Sequence, residues 1–338
     1  MKNVQINKVD EILVPHNQFD QAKKRLLQQI EFAIGSVEPV CLALIGESRT
    51  GKSRLLETIE AQYPKQRLDD GLYVPVLRIS APSKPTVKGL VETLLCALGD
   101  RMWFKRGSEN EKTERLLTLL INQRTHTMII DEFQHFFDKS SRKVQHHLSD
   151  WLKILVDRAK ITLLVGGLQS CMAVINQNEQ LSGRFYGAIY LSRLDWNLPQ
   201  DRSQFAAILH GFQKSLTEYS FPPLTSDEMV FRFYCATGGL VGYVAKIFRQ
   251  ACVNAQESGD KAVHLHDLAI AYTEAIWQDE RKPQRNPFDA DFNKTEIPIW
   301  LAHAKQVGTA EFDLEPEPPK TSRKSSKRGN NDTTSFRI

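Results

Sequence analysis

Gly46-Glu47-Ser48-Arg49-Thr50-Gly51-Lys52-Ser53 spells the phosphate-binding pattern G-x-x-x-x-G-K-[ST], and its reading decides the fold. The apolar run Pro39-Val40-Cys41-Leu42-Ala43-Leu44-Ile45 precedes it, and Arg54-Leu55-Leu56-Glu57-Thr58-Ile59 follows with helical spacing. This is the strand–loop–helix context the pattern requires. Gly46 and Gly51 let the backbone curl so that successive N–H groups point at phosphate oxygens, and the helix opening near Lys52 adds its positive dipole end. The expected nucleotide contacts are therefore Gly46, Glu47, Ser48, Arg49, Thr50, Gly51, Lys52, Ser53 and the following Arg54. Lys52 would reach the outer phosphates of ATP, and the Ser53 hydroxyl would hold Mg²⁺.

A second motif turns binding toward hydrolysis. Thr127-Met128-Ile129-Ile130-Asp131-Glu132 reads as a buried strand that ends in two adjacent acids. A continuous apolar run fits a parallel-sheet strand covered on both faces, and such strands deliver ligands at their carboxyl ends. Asp131 is the candidate Mg²⁺ acid, and Glu132 is placed to orient and deprotonate an attacking water. A small-molecule kinase has no use for such a base, so the pair favours an ATPase of the additional-strand type. Helix capping by the two acids is the competing reading.

Outward from these motifs, strands and helices alternate. Tyr73–Ile79, Ile161–Gly167 and Ala188–Leu191 read as further strands; Phe19–Ile34, Val87–Leu98, Leu116–Leu120 and Lys143–Val156 read as helices. The expected fold is α/β: a parallel sheet sandwiched by helices. From Asp201 the strands stop, and Phe205–Leu216, Ser226–Thr237, Val241–Asn254 and Leu265–Glu280 give a small helical lid. Ile12-Leu13-Val14-Pro15-His16 reads as an extended stretch able to cover an adenine. The organisation is an N-terminal extension and helix over 1–35, a core over 36–196, a lid over 197–282 and a tail over 283–338. The tail runs from acidic and proline-rich into Lys320, Arg323, Lys324, Lys327 and Arg328, a composition that cannot bury enough apolar surface to fold alone. Asn286-Pro287-Phe288 and Ile297-Pro298-Ile299-Trp300-Leu301 within it read as apolar anchors for a partner.

Composition supports this class. The 338 residues are 41% hydrophobic and 25% charged, as in water-soluble globular chains. Five cysteines are odd in number and widely spaced, which argues for reduced core thiols rather than a disulfide or zinc framework. No apolar run reaches bilayer-spanning length and Met1–Gln5 lacks a secretory apolar stretch, so the expected location is cytoplasmic. The net charge of +4 is too small to imply nucleic acid by itself.

With both phosphate motifs and the lid in place, the chain resembles the TniB/TnsC-like AAA+ regulators of DNA transposition. Ala81-Pro82-Ser83-Lys84-Pro85-Thr86 and the later Leu98-Gly99 resemble that family's proline–threonine turn and following Leu-Gly. Glu132-Phe133-Gln134-His135-Phe136 resembles its D-E-x-H/Q continuation, Glu179–Phe185 its arginine-finger segment, and Thr237–Gly242 its lid turn. The resemblance implies an AAA+ ATPase that assembles with itself, as a hexamer- or heptamer-like ring or an open helical filament, on duplex DNA. Its further partners would be a transposase and a TniQ-like target selector, which in CRISPR-associated transposons bridges to the guide complex. It also implies that Arg184, with Arg193 as the alternative, stabilises phosphoryl transfer in a neighbouring subunit.

DNA contacts fall by resemblance on two loops. They are Lys84, Thr86 and Lys88 after the second strand, and Lys139, Ser140, Arg142 and Lys143 after the acidic pair. Such residues would hold phosphates without reading sequence; two solvated loops are the plainer alternative. Trp103-Phe104-Lys105-Arg106 mixes aromatic and basic groups, with Trp103 expected beneath its own loop. Two departures from the family pattern stand out. Where the fourth strand normally ends in a small polar sensor, Gly167 stands, with Gln169 or Ser170 as substitutes; where many lids carry an arginine, Gly242-Tyr243 stands, with Lys246 or Arg249 one or two turns on. The first takes the family's usual γ-phosphate sensor away from that strand; the second, a missing lid arginine, implies slow hydrolysis. A replication initiator or helicase loader, and a nucleotide-switched scaffold that does not bind DNA, are the competing functions.

Overall fold

A computed structural model describes residues 9, 12–14, 16–82, 85–259, 261–277 and 285–308. Its strands are β1 (Cys41–Ile45), β2 (Gln66–Leu68), β3 (Gly71–Tyr73), β4 (Val76–Ser80), β5 (Thr127–Asp131), β6 (Thr162–Gly167) and β7 (Ile189–Tyr190). Five of them form one sheet in the order β4-β5-β6-β1-β7, and every pair in it is parallel. The strand ending in Asp131 is thus separated from the P-loop strand by β6, the additional-strand arrangement the acidic pair pointed to.

Alternation along the strands builds two apolar layers. Cys41, Ala43 and Ile45 face one layer with Leu90, Leu94, Leu116 and Leu152 from the helices Val87–Ala97, Glu109–Asn122 and Arg142–Ala159. Leu42 and Leu44 face the other, with Leu26 and Ile30 from the helix Asn17–Ala33 and Leu55, Leu56 and Ile59 from the P-loop helix Lys52–Glu60. Strands covered on both faces need no polar positions, which is why β1 and β5 are buried throughout. The stretch Tyr73–Ile79 is not one strand. Pro75 has no N–H to give a ladder, so Tyr73 ends a small β2–β3 hairpin and the sheet strand starts at Val76. Pro75 instead accepts from the N–H groups of His126 and Thr127, at 3.0 and 3.2 Å.

The lid comprises the helices Pro199–Ser215, Asp227–Thr237, Val241–Ser258 and Leu265–Ile276, packed around Phe205, Phe212, Phe233, Phe248 and Tyr272. Trp277 is already extended (φ −108°, ψ 144°), so the last helix stops short of the expected Glu280.

The expectation of a tail from residue 283 fails for residues 285–308. Phe288 is fully buried in the lid core, its ring 4.9 Å from that of Phe233. The helix Ile297–Gln306 lays Trp300 and Ala304 against the lid, burying both. Arg232 fastens the connection, donating to the carbonyls of Pro287 and Asp289 at 2.8 and 2.9 Å and lying 4.3 Å over the Phe292 ring. The apolar residues read as anchors for a partner therefore anchor to the chain's own lid. The basic run from Lys320 to Arg328 lies outside the described residues. Among the described residues no helix is long and apolar enough to cross a membrane.

Candidate nucleotide and catalytic site

The P-loop leaves β1 at Ile45 and is gripped by both neighbouring strands. The Gly46 N–H donates to the Gly167 carbonyl at the end of β6 (3.1 Å), and the Leu191 N–H after β7 donates to Ile45 (2.8 Å). A Cβ at Gly46 would meet the Leu191 carbonyl oxygen at 2.1 Å, so only glycine lets the loop pass. Arg49 (φ 67°) and Gly51 (φ 100°) adopt the left-handed conformation that turns the backbone over. Thr50 braces the curve by donating to the Glu47 carbonyl at 2.9 Å.

Lys52 is buried and donates to the carbonyls of Gly46 and Glu47 at 2.8 and 2.6 Å. Burial pushes its ammonium below the usual lysine range, while the nearby carboxylates of Glu132 and Asp131 pull it back up. Ser48, Arg49, Gly51, Lys52, Ser53, Arg54 and Glu132, with Gly242 of the lid, line one pocket of about 390 Å³. The two sequence motifs thus meet in one place, as the sheet order requires. Asp131 is buried at the end of β5 and accepts from the Glu132 N–H at 2.8 Å. Glu132 itself sits at φ 54°, an uncommon conformation for a glutamate and one that recurs at functional sites. The Ser53 hydroxyl and the Asp131 carboxylate are hard oxygen donors of the kind Mg²⁺ takes beside phosphates, so the donor set fits that ion.

A smaller, mostly apolar cavity of about 160 Å³ adjoins the loop. Ile12, Leu13, Val14 and His16 form one wall, with Phe212, Val241 and Ala245 of the lid opposite. Burial pushes the His16 imidazole below its ordinary range. Gly242 lines both pockets and donates its N–H to the Arg49 carbonyl at 2.9 Å, joining lid to P-loop. Of the two lid cations weighed as sensors, Lys246 is held below the usual lysine range by burial and then by the charge of Arg49; it lies 5.6 Å over the Tyr243 ring and donates to the Ala275 carbonyl at 3.3 Å.

The two candidate finger arginines lie in opposite surroundings. The Arg184 carbonyl accepts from the Cys41 N–H (3.0 Å) at the first residue of β1, whereas the P-loop leaves β1 at its last. Four strand steps, roughly 13 Å, separate them, so Arg184 cannot serve its own chain's phosphates. Its guanidinium pairs with Asp157 at 2.7 Å and is partly exposed. Arg193 instead clasps its own P-loop, donating through Nε to both Glu47 carboxylate oxygens (3.0 and 2.9 Å) and through its other nitrogens to the carbonyls of Gly238 (3.4 Å) and Val307 (3.3 Å). Arg193 and Glu47 are thus a lid-to-loop clasp, a pairing invisible from sequence because 146 residues separate them.

The DNA-contact candidates divide. Thr86 is occupied as the cap of the helix Val87–Ala97, accepting from the Gly89 N–H at 3.0 Å. Ser140 donates to the Phe136 carbonyl, closing the turn before the helix Arg142–Ala159. Lys88, Lys139, Arg142 and Lys143 are exposed, and Lys84 lies outside the described residues. Trp103 is not tucked beneath its loop: it is 38% exposed and Phe104 64%. The loop is held from below by buried Lys112, which donates to the Trp103 carbonyl at 2.8 Å and pairs with Glu92 at 2.7 Å.

Residues 6–194 match the family model described as bacterial TniB protein. A search of curated proteins finds no match. Among solved structures, Cdc6p from Pyrobaculum aerophilum superposes with a TM-score of 0.60 at 17% identity, over 81% of this chain and 72% of that one. The Aeropyrum pernix ORC2 protein, solved in ADPNP–ADP complexes, gives 0.59 at 14% identity, over 81% and 72%. Aeropyrum pernix ORC1, solved in complex with DNA, gives 0.58 at 15% identity, over 80% and 69%. The sheet order and lid are those of an AAA+ fold.

Proposed function

The chain belongs to the bacterial TniB family, and on that premise we propose that it is an ATP-hydrolysing switch of DNA transposition. It assembles on duplex DNA with ATP bound, marks the target and recruits the transposase, in partnership with a TniQ-like selector; hydrolysis releases it. The observation that carries the ATPase half is the single pocket lined by Lys52, Ser53 and Glu132, with Asp131 adjoining at the end of its strand. Bound Mg²⁺–ATP supplies the transferable phosphoryl group and part of its charge neutralisation. Lys52 and the loop amides would hold the phosphates and Ser53 and Asp131 the ion, while Glu132 orients water and accepts its proton as the new P–O bond forms and the bond to the departing ADP breaks. Arg184 serves the phosphates of a neighbouring subunit: the family resemblance carries this role, and the place of Arg184 at the far end of β1, away from its own phosphates, supports it.

The DNA half rests on the family and on the exposed cations Lys88, Lys139, Arg142 and Lys143. One comparison tests both halves: ATP turnover of wild type and Glu132→Gln with and without duplex DNA, alongside DNA binding with and without ATP. Turnover that responds to DNA, DNA binding that requires ATP, and a loss of turnover of at least ~10²-fold in Glu132→Gln are expected. Indifference to DNA in every arm would leave the scaffold function. ATP-dependent binding confined to one base sequence would favour an initiator.

A further inference from the structure

The end of β6 lacks the polar side chain that commonly faces the phosphates there, and the structure explains why. A Cβ on Gly167 would meet the Gln134 side-chain oxygen at 2.3 Å and the Cys171 sulfur at 2.4 Å. A Cβ on Gly166 would meet Leu56 at 2.7 Å and Asp131 at 3.3 Å. The space is filled from the turn after β5, by Gln134, which is buried two residues after Glu132.

Chemistry fixes the orientation of the Gln134 amide. Its oxygen lies 3.3 Å from the Leu168 N–H and 3.9 Å from the Cys171 sulfur. Burial pushes the Cys171 thiol up to about 12, so it stays protonated and is a donor too. Two donors on one side demand the amide oxygen there, which leaves the NH₂ group facing the Glu132 carboxylate, to which it donates. The Glu132 backbone is meanwhile held at positive φ between two ties, its own N–H to Asp131 (2.8 Å) and the Phe133 N–H to the Gly166 carbonyl (2.9 Å).

We propose that Gln134 is a positioning residue for Glu132, supplying from the acidic segment the polar contact that β6, ending in Gly166-Gly167, cannot. It ties the carboxylate to the end of β6 and so fixes where the attacking water is held. Glu132 remains the group that touches water; Gln134 acts only through it. The proposal rests on the reading of Glu132 as the base of an ATPase.

The test is steady-state ATP turnover by the full chain, with binding of a fluorescent ATP analogue measured on the same samples. Gln134→Glu keeps the shape and the acceptor for Leu168 but sets a second carboxyl group against Glu132 in place of the amide donor. Gln134→Leu removes both. Each is expected to lower kcat by about 10- to 100-fold, the scale of a misplaced reacting group, with analogue affinity unchanged. In the Glu132→Gln background, adding Gln134→Leu is expected to cost nothing further, because groups that act as a unit are not additive. Wild-type turnover in Gln134→Leu would overturn the proposal. So would a full additional loss in the double variant, or a loss of analogue affinity as large as the loss of kcat, which would mark a packing role. Wild-type turnover in Glu132→Gln would remove the base itself, a different failure recognised by that single variant alone.

Discussion

Gly242→Ala puts the joint between lid and P-loop under direct load. The new methyl would lie 2.9 Å from the Arg49 carbonyl oxygen, 3.0 Å from its Cβ and 3.1 Å from its Cα. Ordinary carbon contacts begin near 3.5 Å, so the lid helix must withdraw by several tenths of an ångström. The atoms in the way belong largely to backbone that is already turned over at φ 67°, so no side chain can swing aside. Overpacking of this kind costs about 1–3 kcal/mol. The Gly242 N–H bond to Arg49, worth ~1 kcal/mol net, is lengthened with it. Because both nucleotide pockets are lined by Gly242, the strain is shared between folding and binding. At about 1.4 kcal/mol per tenfold, the whole of it in binding would weaken affinity by roughly 5- to 150-fold. The assay is titration with a fluorescent ATP analogue plus thermal unfolding without nucleotide, with Gly187→Ala as control, since a methyl there meets its nearest atom at 3.9 Å. Wild-type affinity together with wild-type Tm in Gly242→Ala would refute the closed joint.

Three further outcomes are expected. Arg184→Ala should bind ATP but hydrolyse it poorly, and mixing it with Glu132→Gln subunits should restore part of the turnover; co-assembled mixtures without rescue would mean that Arg184 does not act across subunits. Binding to duplex DNA should weaken steeply with salt, and replacing Lys139 and Lys143 by Gln should flatten the log–log slope by about 0.9 for each phosphate no longer neutralised; an unchanged slope would clear both lysines of a role on DNA. Truncation after Gly308 should leave thermal stability as it was, whereas truncation after residue 284 strips Phe288 and Trp300 from the lid and should cost at least ~3 kcal/mol, read as a drop in Tm; equal stability of the two would contradict the packing of residues 285–308.

Local patterns carried most of the architecture. The strand–loop–helix around Lys52 and the buried run into Asp131-Glu132 each declare themselves within a dozen residues, because burial on both faces leaves a chemically simple signature. What escaped was decided by distance or by single backbone atoms. Pro75 splits a run that looks continuous because it lacks one hydrogen. The helix Ile297–Gln306 has the apolar content of a partner-binding segment, and only the lid surface around Phe231 and Cys235 shows what it covers. At the site, Gly46, Lys52, Asp131 and Glu132 were legible from spacing alone. The bond from the Leu168 N–H to Gln134 and the Arg193–Glu47 clasp were not, since each joins segments brought together only by the sheet order. The paired glycines Gly166-Gly167 at a strand end were the one available hint that another side chain claims that space.

If Arg184 acts across subunits, its distance from its own P-loop would give an assembly of this chain a front and a back. Subunits joined so that one arginine meets the next loop must stack head to tail, a heterologous contact. An open run of n subunits then contains n − 1 complete sites, while a closed ring contains n. In the open run one terminal subunit carries ATP that no neighbour's arginine reaches, and the opposite terminus carries an arginine with nothing to serve. ATP would then persist at one end only, and its share, one subunit in n, would be larger in a short run than in a long one.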